Sequence, residues 1–341
     1  MSVYQETTAR KEKARAMVYV RLWEHGPAVV LGARRATAFS EREIRIRMTR
    51  LPRLGAIALL VTLLIVGTRV AGQAGEGRAP SSADHAAKLV AAYPAFLDRV
   101  DGNRIVWRDG TSTPFDDGAG EKAFERWLSA PDLEDMFRFP YPAGADVAPP
   151  AIDVDPGRAR NAAFFDAMYG DCRKGEVAKS LETIVWLPTK APQKLQVTRI
   201  NGVSARLAAV SKELDALPAR FDKFLAPSSG TYNCRTIAGT DRLSAHGSGI
   251  AIDIAAGQSD YWRWAKGDHR GRRTDLGGAV PFRNRVPIEI VRIFEKHGFI
   301  WGGRWYHYDT MHFEFRPELL PELAPLPEAA AASPPATPAA R

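Results

Sequence analysis

Apolar positions along the chain recur with two periods, and each period predicts one kind of element. Val203, Leu207, Val210 and Leu214 fall on one stripe of a helix predicted at 203–217. Similar spacing predicts further helices at 82–100, 121–128, 159–169 and 287–297. Short apolar or alternating runs predict strands at 103–110, 182–188, 193–200 and 250–254, and an extended segment at 230–237. Helices and strands are interspersed without a regular βαβ rhythm, so the predicted class is α+β.

The strand predicted at 250–254 carries a carboxylate among apolar residues. Its alternation places the three isoleucines on one face and Asp253, with Ala251, on the other. Burying an ionised carboxylate without a partner is strongly unfavourable. Asp253 therefore requires a cation, a set of hydrogen-bond donors or a metal ion.

Charge is distributed unevenly along the 341 residues, whose formal net charge is +8. Residues 1–53 contain twelve Lys and Arg against five Glu, so a surplus of seven precedes the first apolar run. The rest of the chain is nearly neutral. The net positive charge of the chain therefore says little about the residues that follow the apolar run, and we expect no nucleic-acid partner.

The apolar run at 54–67 is uncharged and fourteen residues long. It is short for a membrane span of about 20 residues and has the length of a signal-peptide core. We predict a signal peptide at 48–74, with an uncleaved N-terminal anchor as the alternative, and interpret 1–47 as a start-site extension. We expect export to the periplasm or cell envelope, with membrane contact only through an uncleaved N-terminal segment.

The remaining chain divides by composition and motif content. We expect an N-terminal lobe at 81–191, a core at 192–320 and a disordered Pro/Ala-rich tail at 321–341. Cys172 and Cys234 are the two cysteines. A disulfide between them suits an exported protein, although sequence alone cannot pair two thiols whose separation is unknown.

The stretch WYHYDTMHFEF, at 305–315, adds further metal-ligating residue types. His312 and Glu314 alternate with two phenylalanines in a predicted strand, and Asp309 lies three residues before His312. Adding His246 and Asp253 to His312 gives two histidines and a carboxylate, with a further carboxylate close by. Three such ligands with one open position are typical of catalytic zinc sites.

Two motifs in this order resemble one peptidase family. The first is SxHxxGxAxD at 244–253, and the second is DxxHFE at 309–314. They are similar to those of the VanY-like D-alanyl-D-alanine carboxypeptidase and L-alanyl-D-glutamate endopeptidase family of zinc peptidases. The resemblance is strongest at 195–320. It implies a hedgehog/DD-peptidase-like fold, a small mixed or antiparallel sheet flanked by helices, here with an N-terminal helical extension.

The resemblance also implies roles for individual residues. It implies that one Zn²⁺ per chain is bound by His246, Asp253 and His312, and that Asp309 is the general base for the metal-bound water. Related enzymes have an arginine that engages substrate at the position resembling Arg235, so the resemblance implies that Arg235 either binds a stem-peptide carboxylate or stabilises the oxyanion as a catalytic residue. The spacing here is shorter than in several relatives, and Arg235 could instead pair with an acidic neighbour.

Three other polar residues lie in or beside the two motifs. We interpret Ser244 and Glu314 as groups that orient the metal ligands. His307 is close to the site in sequence. It either assists the transition state or faces solvent.

The implied substrates are peptidoglycan stem peptides, and we expect a monomer. Asp309 resembles endolysins that cut the L-Ala-D-Glu bond, whereas many D-alanine-releasing members have Glu there, so the endopeptidase activity is slightly favoured. A non-catalytic zinc-containing binding module of the same fold is the main alternative. A non-haem iron oxygenase also uses two histidines and a carboxylate, but commonly with an HxD pair, whereas six residues separate His246 from Asp253.

Overall fold

A computed structural model of the chain describes residues 80–265, 279–321, 323 and 325. The predicted start-site extension at 1–47 and the signal peptide at 48–74 lie outside the described residues, as does nearly all of the tail at 321–341. The helices are α1 (Ser82–Ala92), α2 (Phe124–Ser129), α3 (Ala162–Tyr169), α4 (Val203–Asp215), α5 (Asp222–Leu225), α6 (Trp262–Ala265) and α7 (Ile288–Lys296). The strands are β1 (Leu97–Asp101), β2 (Arg104–Trp107), β3 (Ser112–Pro114), β4 (Leu181–Trp186), β5 (Gln193–Thr198), β6 (Ala251–Asp253), β7 (Phe299–Trp301) and β8 (His312–Phe315).

Helix α1 is shorter than its apolar spacing predicted. It begins with a capping box, in which the Ser81 hydroxyl accepts from the Asp84 amide and the Asp84 carboxylate accepts from the Ser81 amide. It ends at Ala92 rather than near residue 100, and Pro94 follows, a residue that disfavours helix at the position before it. The second half of the predicted helix instead leads into strand β1 at Leu97–Asp101.

The N-terminal region contains a sheet as well as helices. Strands β1, β2 and β3 form an antiparallel sheet in that order. Gly102, with φ of 55°, lies in the tight turn between Asp101 and Arg104, which are paired residues of β1 and β2. The predicted helical extension is therefore a mixed α and β region.

Two further antiparallel units complete the fold. Strands β4 and β5 form a hairpin, and helix α4 packs on it with the apolar stripe expected from the sequence. The central sheet has the order β6-β8-β7, and α7 packs against β7 and α4. These small antiparallel sheets with flanking helices confirm the predicted α+β class.

One large hydrophobic core joins the two predicted regions. It includes Tyr93, Phe164 and Trp186 from the N-terminal region together with Phe294 and Trp301 from the core region. The predicted boundary at 191 falls in the loop of the β4–β5 hairpin. The region before 192 is therefore packed against the strands that carry the candidate site. Within the described residues, no helix is both long and apolar enough to cross a membrane.

Candidate metal centre

Two of the predicted metal ligands face each other across the central sheet. Asp253 is the last residue of β6 and His312 is the first of β8, and the antiparallel register pairs them directly. Directly opposed residues have Cβ atoms about 4.5–5.5 Å apart, so their side chains share one face. His312 Nδ1 lies 3.1 Å from Asp253 Oδ1.

The third predicted ligand, His246, comes from the turn before β6. The Ser244 hydroxyl accepts a hydrogen bond of 3.4 Å from the His246 amide and so caps a short 3₁₀ turn. Gly249 ends this turn with φ of 69°, in the left-handed region that glycine adopts without strain. The chain enters β6 after this glycine, and His246 Nε2 lies 3.2 Å from Asp253 Oδ1.

Hydrogen bonds fix the position of the proton on both histidine rings. His246 Nδ1 contacts the carbonyl oxygen of Thr231, which only accepts hydrogen bonds, so this nitrogen carries the proton. His312 Nε2 donates to Glu314 Oε2 at 3.0 Å. The remaining nitrogens, His246 Nε2 and His312 Nδ1, therefore present lone pairs toward Asp253. When both rings are neutral, three electron-pair donors therefore converge.

This donor set fits a zinc ion. All three ligand atoms lie within 4.8 Å of one another, and two of the separations are 3.1 and 3.2 Å. Ligand atoms bound at zinc–nitrogen and zinc–oxygen distances in a tetrahedral site are about 3.3 Å apart. Within the described residues the buried Nε2 of His246 has no hydrogen-bond partner. Two imidazoles and one carboxylate leave a fourth position for water or substrate.

Without a cation, protons would have to occupy this cluster. Burial opposes a charge on His312, but hydrogen bonds to Asp253 and Glu314 outweigh it and raise the pKa of His312 to about 10. Burial also opposes a charge on Asp253, whereas His246 and His312 hold the pKa of its carboxyl well below the usual range. A bound metal ion replaces such protons, because its ligands bind in the deprotonated form.

Asp309 lies beside these donors with an unpaired carboxylate oxygen. Its amide donates to the Gly302 carbonyl at 3.0 Å, and a Cβ on Gly302 would lie 2.5 Å from the Asp309 carbonyl oxygen. Only glycine allows this approach. Asp309 Oδ1 is buried and has no partner in the described part of the chain. Burial and the negative charge of Asp253 raise the pKa of Asp309 to about 6, so this group can accept and return a proton near neutral pH.

Glu314 fixes the orientation of the His312 ring. Its fully buried carboxylate accepts from Arg160 Nη1 at 2.6 Å and from Arg316 Nη1 at 3.2 Å, in addition to His312 Nε2. Burial would raise the pKa of Glu314, but Arg160 and His312 outweigh burial and keep it well below its usual range. Glu314 therefore remains ionised and holds the proton of His312 on Nε2.

A buried chain of polar groups continues from this carboxylate to helix α1. Arg316 Nε donates to Glu318 Oε1 at 2.5 Å, and Glu318 Oε2 accepts from the Tyr93 hydroxyl at 2.7 Å. Sequence reasoning missed Arg160, Arg316 and Glu318. The available signal was the series of charged residues at positions 314, 316 and 318, which alternate along an otherwise apolar strand and its continuation.

His307 is held by a carboxylate that the sequence did not indicate. Asp155 accepts from His307 Nδ1 at 2.9 Å and from the His307 amide at 3.0 Å, and it pairs with Arg158 at 2.5 Å. Burial would raise the pKa of Asp155, but Arg158 and His307 lower it to about 2. The Arg158 guanidinium lies 5.7 Å from the Trp305 ring, which lies 5.7 Å from the His312 ring. His307 is half-buried and anchored rather than free in solvent.

Arg235 is close to the site through its backbone. Its carbonyl accepts from the Ser244 amide at 3.0 Å, next to the turn that carries His246. The side chain is exposed, and its guanidinium hydrogen bond within residues 80–265 and 279–321 goes to the Thr236 carbonyl at 3.4 Å. Within these residues it makes no ion pair with the metal-ligand cluster.

Cys172 and Cys234 form a disulfide. The bond fastens the segment before His246 to the N-terminal region. A Cβ on Gly247 would lie 3.1 Å from Cys172 Sγ, and the Asn233 amide donates to the His246 carbonyl at 3.1 Å. The disulfide therefore contacts the turn that positions the first histidine.

A protein-family profile described as D-alanyl-D-alanine carboxypeptidase matches residues 238–315. The matched segment contains His246, Asp253, Asp309 and His312, together with most of the central sheet. No curated protein and no solved structure gives a significant match to the chain. The motifs, the α+β fold and the profile agree, and together they support the VanY-like zinc peptidase family for residues 238–315.

Proposed function

We propose that the protein is an exported zinc metallopeptidase that hydrolyses peptide bonds in peptidoglycan stem peptides. The observation that carries this proposal is the convergence of three atoms that can ligate a metal ion, on His246, Asp253 and His312, beside the unpaired carboxylate oxygen of Asp309. A metal-binding structural module needs the first three groups. Metal binding alone does not require a further carboxylate with a pKa raised to about 6, whereas proton transfer does. Asp309 therefore favours catalysis over the binding-module alternative.

Zinc held by these ligands supplies Lewis acidity, which polarises the scissile carbonyl and brings the pKa of a bound water to about 7. Asp309 accepts the proton of the attacking water at its unpaired Oδ1. The same carboxyl then returns the proton to the nitrogen of the leaving amine as the peptide bond breaks. Its raised pKa suits both transfers, because a strongly acidic carboxyl would return the proton poorly.

His307 is proposed as an assisting group. Asp155 holds the proton of the His307 ring on Nδ1 and fixes the ring through a second hydrogen bond to its amide. Aromatic rings of Phe124 and Trp262 lie 5.2 and 4.8 Å from it. A ring fixed in this way loses little conformational freedom when substrate contacts form.

The identity of the peptide bond that is cut is also proposed. The Asp at position 309 favours cleavage between L-alanine and D-glutamate, and release of terminal D-alanine is the alternative that the profile's description names. Arg235 is the residue that the family resemblance offers for substrate carboxylate binding. Its exposed guanidinium lacks a carboxylate partner among the described residues.

Export is supported by two independent features. Residues 48–74 have the composition of a signal peptide, with a basic start, an apolar stretch and small residues at its end. The Cys172–Cys234 disulfide lies in the part of the chain that the structure describes, and such bonds persist in oxidising compartments.

The proposal is tested by mass spectrometry of purified muropeptides incubated with the protein. We expect a product that disappears with a chelator, returns with added zinc and is absent with Asp309→Asn. The product mass separates D-alanine release from cleavage after L-alanine. If no muropeptide is cleaved while zinc is bound at one per chain, the binding module replaces the peptidase as the function.

A further inference from the structure

A cavity of about 340 Å³ lies next to the metal centre. One wall is the segment from Arg158 to Ala163 that leads into α3, and the opposite wall is the segment from Asp241 to Ala245 that leads to His246. Small-molecule sites have volumes of about 300–1,000 Å³, so the cavity can hold one residue of a peptide or its side chain. The first wall lies outside the residues that match the family.

The cavity is lined by guanidinium groups that differ in pairing. Arg158 pairs with Asp155 at 2.5 Å, and Arg160 pairs with Glu314 at 2.6 Å. Across residues 80–265 and 279–321, the guanidinium of Arg242 makes no hydrogen bond and no ion pair. The other charged residues that line the cavity are Asp166, Arg173 and Asp241. Arg173 pairs with Asp171 at 2.8 Å and with Asp166 at 3.7 Å, and Asp241 is exposed.

Arg242 is therefore a half-buried cation without an ion-paired anion among the described residues, although the more distant negative charges of Glu125 and Asp241 act to raise its pKa. Burial, together with the positive charges of Arg158 and Arg160, lowers the pKa of Arg242 to about 10. The group still carries its proton at neutral pH. Collecting like charges in a partly desolvated cavity is unfavourable, and a bound anion removes that repulsion. A ligand that pairs with Arg242 is therefore expected to be anionic.

The cavity is coupled to the catalytic groups through short contacts. Ser244 and Ala245, which form part of its wall, immediately precede His246. Arg160 reaches Glu314, which in turn accepts from His312 Nε2 at 3.0 Å. The cavity wall is therefore continuous with the turn that carries His246 and is linked through Arg160 and Glu314 to the His312 ring.

We infer that this cavity is a specificity subsite for a carboxylate of the substrate peptide and that Arg242 is its principal partner. The inference rests on the proposed function, because it takes the substrate to be a peptide. A carboxylate suits a guanidinium through two parallel N–H···O bonds. The carboxylate belongs either to the C-terminus of the peptide or to one of its acidic side chains.

The test compares three peptides of the stem sequence: the free acid, the C-terminal amide and the side-chain amide. Binding is measured by calorimetry in a chain that carries Asp309→Asn, so that no turnover is needed. We expect the free acid to bind about 10–100-fold more tightly than one of the amides, the range for a hydrogen-bonded charged group. The amide that loses affinity identifies the source of the carboxylate.

Arg242→Gln added to this chain should abolish the preference for the acid, with unchanged zinc content. Arg242→Lys, which retains the charge but not the bidentate geometry, should retain part of it. Arg220→Gln removes an exposed arginine that lies over Phe221, and it should leave the preference intact. Equal binding of acid and amides, or a preference that survives in Arg242→Gln, overturns the subsite. An acid preference in a protein whose wild-type form hydrolyses none of the peptides refutes the proposed activity and leaves the subsite standing.

Discussion

Replacing Glu314 with glutamine should weaken both the fold and the metal site. The substitution preserves side-chain shape but removes the negative charge that lies between Arg160 and Arg316. It leaves two guanidinium groups without their shared anion. It also removes the ionised acceptor that keeps the proton of His312 on Nε2 and directs Nδ1 toward the metal position.

The magnitude follows from these contacts. Removing one partner of a buried ion pair costs about 3–5 kcal/mol, and Glu314 is fully buried with both arginines within 3.2 Å. For a folded region of this size, about 1 kcal/mol lowers Tm by about 2–4 °C, so Tm should fall by at least about 6 °C. Loss of the group that orients a metal-bound histidine typically lowers metal affinity by about 10–100-fold.

The assay measures Tm in a chelator and zinc affinity by competition with a chromophoric chelator. Glu295→Gln is the matched control. Glu295 is also buried and is ion-paired with Arg304, and it accepts from the Tyr141 hydroxyl and the Gly144 amide at 2.8 Å each. This control should lower Tm without changing zinc affinity.

Two results would refute the reasoning. Zinc affinity that stays within about twofold of wild type in Glu314→Gln would show that the carboxylate does not orient His312. An equal loss of affinity in Glu295→Gln would show that reduced affinity reflects general destabilisation.

Three other predictions concern Asp309 and the Cys172–Cys234 disulfide. Asp309→Asn should retain zinc while kcat falls by about 10²–10⁴-fold, measured by metal analysis and steady-state kinetics; wild-type turnover would remove Asp309 from the mechanism. Because Asp309 acts in its unprotonated form and its pKa is about 6, kcat/KM should fall about tenfold per unit as pH drops below that value and level off above it. A flat profile through pH 6 contradicts the assigned base. The double variant Cys172→Ser, Cys234→Ser opens a link between residues 62 apart, and chain entropy predicts a loss of about 4 kcal/mol in the free energy of unfolding, measured by denaturant titration. Unchanged stability would mean that the disulfide does not constrain the unfolded chain.

The central elements of the fold could be predicted because their local patterns agree with their surroundings. Helix α4 has one apolar stripe and buries that stripe, with Val203, Leu207, Val210 and Leu214 all in the core. The alternation at 250–254 placed Asp253 apart from the isoleucines, and the sheet register then brought it opposite His312. At both elements the apolar periodicity of the sequence and the packing of the folded chain bury the same residues.

Prediction failed where a local signal was overridden. Apolar spacing at 82–100 favoured one helix, but Pro94 and the turn at Gly102 convert its second half into strand β1. The turn signal was available, since an Asp-Gly pair between two apolar runs favours a hairpin.

The partners of the site residues could not be predicted from the sequence. Arg160 contacts Glu314 across 154 positions, and Asp155 contacts His307 across 152. Such contacts depend on how the N-terminal region packs against the central sheet. No local periodicity encodes that packing, and the family profile begins only at residue 238.

Metal analysis of the purified protein and its variants after dialysis determines whether His246, Asp253 and His312 bind zinc. We predict one zinc per chain in the wild type and in Asp309→Asn, and none in His246→Ala or Asp253→Ala, with all four chains folded by circular dichroism. Zinc retained at wild-type stoichiometry in His246→Ala would contradict the ligand assignment on which the proposed mechanism depends.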